Sequence, residues 1–468
     1  MTSIKPQELV ERALGLSRAD GCVVIAEESS STNLRWAGNT LTTNGEMRGR
    51  SFTVVAMVDG AEGTASGALT RSNVSADEIE TVVRAAETAA RSAKPAEDAR
   101  PLVTGYEPHP SWGADFDVEP AVTTSSVFAA FAPALGGALE RARSEGRELF
   151  GFAEHDLATT YLGTSAGVRL RHDQPSGKAE ITGKSHGRTR STYVGKATRD
   201  FTDVDVAAME AEVVRRLGWA ARPVDLKPGR YDTVLPPTAV ADLMIYLYWS
   251  SSAREAFDGR TVFSRPGGGT RVGDRLSKLP VQLRSNPGEP GLETAPFVVA
   301  GSSGAASSVF DNGLPAGSTH WIKDGVLSAL LQTRASAELT GLAVTPAVDN
   351  LVMELPGSTG STDDLVAATT GRALLLTCLW YIREVDPQTL LLTGLTRDGV
   401  HVIDDGEVIG TATNFRFNES PVDLLDRVQA ASATQPCLPR EWGDYLTRAA
   451  MPALRFEGFN MSTVSPAS

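Results

Sequence analysis

The chain has 468 residues, 41% of them hydrophobic and 22% charged, ordinary globular proportions that allow two or more domains with separate cores. A net charge of −13 and a pI near 5.1 argue against a broad nucleic-acid or anionic-membrane footprint, because both need clustered Lys and Arg. Cys22, Cys378 and Cys437 are widely spaced and form no C-x-x-C, which excludes a disulfide framework and a cysteine-only zinc site and fits a reducing compartment.

The first residues, MTSIKPQELVERALGL, lack the apolar core and small-residue cleavage site of a signal peptide. The longest apolar runs, such as Ala373 to Ile382, fall short of the roughly 20 residues a membrane helix needs. The expectation is a cytoplasmic protein. Residues 6 to 16 predict a helix burying Leu9, Val10, Ala13 and Leu14. Short strands are expected at Cys22 to Ala26, Thr32 to Trp36 and Ser51 to Val58, with turns between them and Asp59-Gly60 closing a hairpin. Ser75 and Glu78 match a capping box ahead of a helix burying Ile79, Val82, Val83, Ala86 and Ala90. Lys94 to Pro120, rich in Pro and Asp, reads as a connection, and Ser125 to Ser144 as a helix bent at Pro133.

Strands dominate from there to about residue 198. Asp203 then opens a helix with Val206, Met209, Val213, Val214 and Leu217 inward, and the Pro-containing stretch Ala220 to Gly229 marks a domain boundary. The second half reads as short strands and tight turns, at Asp311-Asn312-Gly313, Lys323-Asp324-Gly325, Arg397-Asp398-Gly399 and Asp404-Asp405-Gly406. One early helix, Thr238 to Ser251, is apolar almost all round and is expected to be buried on most faces. The fold class is α+β with two domains. Residues 1–224 form an α/β unit with mainly antiparallel strands, and residues 225–468 a β-rich domain with one early buried helix.

Gly163-Thr164-Ser165-Ala166-Gly167 matches the G-x-S-x-G pattern of serine hydrolases, which requires a strand before the serine and a helix after it. Here Thr159 to Leu162 and Val168 to His172 are both β-type, so the stretch predicts a hairpin turn. The six histidines, His109, His155, His172, His186, His320 and His401, include no pair on one helical turn, so no zincin-type site is present. Glu154-His155-Asp156, His172-Asp173 and His186 form a three-ligand site only if adjacent strands bring them together; otherwise they are polar strand and turn residues. Cys437, within Gln435-Pro-Cys-Leu-Pro439, is compatible with a ligand, a reactive thiol or an inert buried side chain. Cys378, inside Leu374 to Trp380, is expected in the core.

Several stretches, in order along nearly the whole chain, resemble the TldD/PmbA family, whose second member is also called TldE. They are Glu28 to Asn39 with Gly49-Arg-Ser-Phe-Thr-Val, Leu226 to Leu235, Phe310-Asp-Asn-Gly-Leu-Pro-Ala, Trp321 to Ser328, Asn350 to Gly357, Ser361 to Leu365, and Val402 to Gly410. In that family, TldD-type members resemble zinc peptidases that degrade unstructured peptides, with H-E-x-x-x-H on a helix early in the C-terminal domain and a late cysteine as a further ligand. The corresponding helix here, Pro237 to Ser250, has neither His nor Glu, and no histidine lies between His186 and His320. Cys437 falls near the position of the family's metal cysteine.

The resemblance therefore implies a PmbA/TldE-like subunit without catalytic residues, metal ligands or cofactor of its own. Its implied partners are a zinc-bearing TldD-type chain, or a second copy of itself, and an unstructured peptide, with no nucleic acid and no membrane. The competing expectations are an independent hydrolase or amidase built on His155, His172, Cys437 or Ser165, and a homodimeric peptide-binding scaffold.

Overall fold

A computed structural model describes residues 4–104 and 115–465; His109 and part of the connection expected between Lys94 and Pro120 lie outside them. The N-terminal half is built on one antiparallel sheet, in the order β3-β2-β1-β4-β5-β6. Its strands are β1 (Gly21–Ala37), β2 (Thr40–Gly60), β3 (Gly63–Ser72), β4 (Arg147–Thr164), β5 (Arg169–Ser185) and β6 (Arg190–Thr198). β1 joins two stretches that the sequence suggests are separate, because the polar Glu27 to Ser31 continues the ladder in register with both β2 and β4. The serine- and threonine-rich middle is extended because neighbouring strands satisfy its backbone.

Helices α1 (Pro6–Leu16), α2 (Ile79–Ser92), α3 (Phe131–Ser144) and α4 (Val206–Trp219) cover one face of this sheet. α1 and α2 bury Leu9, Val10, Ala13, Ile79, Val82, Val83, Ala86 and Ala90 against Cys22, Val24, Phe52 and Val54, each large side chain contributing about 1.5–3 kcal/mol. Gly67 lets β3 touch α2: a Cβ there would lie 2.2 Å from the Ala90 nitrogen. Three helix boundaries differ from expectation. Ser75 and Glu78 close a preceding turn, with the Ser75 N–H on Glu78 Oε2 at 2.9 Å, and the helix starts after Glu78. The stretch from Ser125 opens as a 3₁₀ turn (Ser125–Phe128) and breaks before Phe131, so Pro133 sits in the first turn of α3, where a missing N–H costs nothing. α4 is capped by Asp205 rather than Asp203, and Val214 points outward.

The C-terminal half contains two sheets. The smaller runs β10 (Val326–Leu327), β9 (Thr319–Lys323), β8 (Gln282–Ser285), β11 (Leu351–Glu354), β20 (Ala449–Met451), β19 (Gln435–Cys437). The larger runs β13 (Leu379–Asp386), β14 (Leu391–Thr396), β17 (Phe415–Glu419), β21 (Leu454–Val464), β7 (Gly229–Leu235), β12 (Arg372–Leu376), β15 (Val400–Asp404), β16 (Glu407–Thr411), with β18 (Val428–Ala431) beside β21. Residues of both sheets enclose α5 (Pro237–Trp249) in one core. Asp324-Gly325 and Asp405-Gly406 take positive φ at their hairpins, as such pairs favour. Asp311 instead ends a 3₁₀ turn (Val309–Asp311), and Asn312 after it is bonded to Ala300 and Val309. Four further short helices occur among the described residues: α6 (Ala253–Phe257), α7 (Arg334–Thr340), α8 (Thr362–Ala367) and α9 (Pro421–Asp426).

The second face of the N-terminal sheet packs on the C-terminal half. Val23, Ile25, Val55, Met57, Leu162 and Leu170 meet Phe297, Val309 and Phe310. No helix among the described residues is long and apolar enough to cross a membrane.

Candidate functional site

Ser165 lies in the turn between β4 and β5, as the flanking β-type residues predict. Its Oγ accepts the Cys22 N–H at 3.0 Å, and its own N–H donates to the Cys22 carbonyl at 2.8 Å. The hydroxyl is thus a stitch to β1, and a strand, not an elbow helix, follows.

The histidines do not converge. His155 is buried on the helical face, its Nδ1 paired with Thr123 Oγ1 at 2.7 Å and its Nε2 with the Arg199 carbonyl at 2.7 Å. Glu154 and Asp156 alternate onto the opposite face. His172, in register with Thr160, also lies on that opposite face, and His186 sits in the β5–β6 turn with φ +53°. Period-two alternation therefore places a sheet between His155 and its expected partners. His401 is buried against Trp219, and burial pushes its imidazole down to about 3. A site built from His155, His172, Cys437 and Ser165 is not assembled.

Polar groups gather instead around α5. Asp242 is its only ionisable carboxyl and is fully buried. Its Oδ1 accepts the Glu441 N–H at 2.9 Å and its main-chain carbonyl accepts Trp442 Nε1 at 2.8 Å. Desolvation raises its carboxyl well above the ordinary range, so the neutral acid is favoured. The bonds fix segment 438–447, which crosses from α5 to the N-terminal sheet. There the Arg440 guanidinium is held between the Tyr193 and Trp380 rings, 4.4 and 4.3 Å from their centroids, and 3.6 Å from Glu180. Asp444 pairs with Lys178, Thr447 bonds Ser176 at 2.7 Å, and the Glu441 carboxylate accepts the N–H groups of Tyr381 and Ile382.

Cys437 ends β19 just before this segment and is buried; burial pushes its thiol far above its ordinary value. Burial pushes Cys378, in the core as expected, up to about 12. Neither supports thiolate chemistry.

The profile of the PmbA/TldA metallopeptidase C-terminal domain matches residues 228–463, and that of PmbA/TldA metallopeptidase domain 1 matches residues 22–93. The chain belongs to the PmbA/TldD family. Its fold is similar to that of TldE from Thermococcus kodakarensis, with a TM-score of 0.77 and 15% identity over 97% of this chain and 99% of that one. It is also similar to a proposed DNA gyrase modulator from Thermotoga maritima, with a TM-score of 0.74 and 15% identity over 97% and 99% of the two chains. A third, from Bacteroides thetaiotaomicron and also described as a proposed gyrase modulator, has a TM-score of 0.72 and 17% identity over 98% of each. At these identities the likeness is one of fold. Comparison with curated proteins gives no match.

Membership of a metallopeptidase family raises the question of a metal, and the donors at α5 do not fit zinc. Asp242 spends one oxygen on a backbone N–H, Cys437 is a buried neutral thiol, and imidazole is missing from α5. No group of three His, Cys, Asp or Glu side chains suited to a metal occurs among the described residues. Sequence reasoning singles out Cys437 but passes over Asp242, Arg440 and Glu441. A lone Asp in an apolar helix is the signal that could have found them, because a buried carboxyl needs a partner.

Proposed function

We propose that this chain is a PmbA/TldE-like subunit that pairs with a zinc-bearing TldD-type chain in a peptidase acting on unstructured peptides, without contributing metal ligands or a nucleophile itself. The observation that carries this reading is α5: in TldD-type members the equivalent helix bears the metal-binding motif, whereas here it holds a neutral, hydrogen-bonded Asp242 that braces segment 438–447. A helix used in this way is architectural.

The subunit's contribution is to wall the partner's cavity and offer strand edges to extended peptides, which bind by main-chain hydrogen bonds with little side-chain readout. β2 supports this role. From Thr40 to Arg50 it pairs with β1 alone, since β3 begins to pair only at Ser51, and its outer edge has no strand partner among the described residues. Native mass measurement of the chain mixed with a TldD-type protein from the same source tests the pairing. A one-to-one complex is expected; two species that never associate would count against it.

A further inference from the structure

A cleft of about 380 Å³ lies between the second face of the N-terminal sheet and the C-terminal half, within the size range of ligand pockets. Its floor is a lateral row across three strands, Glu27 on β1, Thr160 on β4 and His172 on β5, set side by side by the register. Its wall is segment 294–300, which bends at Pro296 and bridges Pro315 at Phe297. Pro296, Val298 and Ala300 of that segment bond to residues 312–316. The N–H and C=O groups of Ala295, Phe297 and Val299 have no hydrogen-bond partner among the described residues.

The charged groups of the lining are unequally satisfied. Asp311 is held by Arg334, and Asp349 by Arg448. The Glu27 carboxylate, half-buried, has neither ion pair nor hydrogen bond among the described residues, and no Lys or Arg lines the cleft. Burial raises its carboxyl above the ordinary range. An anion in this position gains most from an incoming cation. His172 has its Nε2 on Gln174 Oε1 at 3.1 Å, and burial lowers its imidazole below its usual range, so it does not compete as that cation.

We propose that this cleft binds the amino end of an extended peptide, the α-ammonium on Glu27 and the first residues paired with the free edge of Ala295, Phe297 and Val299. Small apolar surfaces from Ala158, Ala300 and Ala347 suit short side chains beside that edge. The proposal deepens the peptide-handling role given above and names the end of the peptide that this chain holds.

Calorimetric titration of the isolated full chain with tri-alanine, N-acetyl-tri-alanine and butylamine tests it. Tri-alanine is expected to bind, and acetylation or Glu27→Gln to weaken it about tenfold or more, the scale of a lost charge-assisted contact. In the Glu27→Gln chain, acetylation should make no further difference. Absence of tri-alanine binding, equal binding of the acetylated peptide, or butylamine binding as tightly as tri-alanine would each overturn the proposal. None of these arms needs a partner chain, so their outcome is separate from that of the pairing experiment.

Discussion

At Ser165 the hydroxyl accepts a backbone N–H from Cys22, so its removal costs stability and not chemistry. Ser165→Ala should lower unfolding free energy by about 1 kcal/mol and leave the peptidase activity of any complex intact; loss of activity with stability preserved would reopen a catalytic role. All three cysteines are buried. Native protein should therefore react slowly with a thiol reagent, whereas denatured protein should release three thiols promptly. His401 makes the fold acid-sensitive. Its folded pKa, about 3, lies below the unfolded value of about 6.5, so the stability it contributes is present above pH ~6.5 and is lost as pH falls towards 3, by about 1.4 kcal/mol per pH unit. His401→Gln should flatten the fall in urea stability between pH 6 and 4 relative to the parent; parallel pH profiles would contradict this assignment.

The element that matters most is α5 with segment 438–447. Asp242 has a raised folded pKa, so the stability it contributes is present below its unfolded pKa of about 3.9 and is lost as pH rises through the folded value. Asp242→Asn keeps an acceptor for the Glu441 N–H without that loss, and should be more stable than the parent at pH 8 with a smaller difference at pH 4. Asp242→Ala leaves the N–H unpaired and should cost about 1–3 kcal/mol. Urea midpoints at the two pH values test both, and a parent more stable than Asp242→Asn at pH 8 would contradict the neutral-acid reading. Arg440→Ala removes a desolvated cation–π contact of about 2 kcal/mol and should speed hydrogen exchange in segment 438–447 and β6, but not in α1 or α2. The apolarity of α5 is legible in Ala239, Leu243 and Leu247. What it packs against is not, because Asp242 and Glu441 stand 199 residues apart and local pattern carries no information about such a pairing.

For the whole molecule, alternation and turn chemistry make much of the N-terminal sheet legible. Val168 to His172 reads as a strand because apolar Val168 and Leu170 alternate with polar residues, and Asp324-Gly325 as a hairpin because the turn needs positive φ. The polar middle of β1 is not legible, since its extended form depends on neighbours on both sides. Nor is the separation of His155 from His172, which depends on which face each strand turns to its neighbours. The candidate site is legible chiefly through what α5 lacks, while the Glu27 cleft needs three strands and a distant segment to become visible. The central claim, that this chain is the non-catalytic member of a two-chain peptidase, is tested most directly by measuring bound zinc and peptidase activity on an unstructured peptide, for the isolated chain and after mixing with a TldD-type partner. The account predicts neither zinc nor activity in the isolated chain and activity in the mixture; stoichiometric zinc together with peptidase activity in the isolated chain would contradict it.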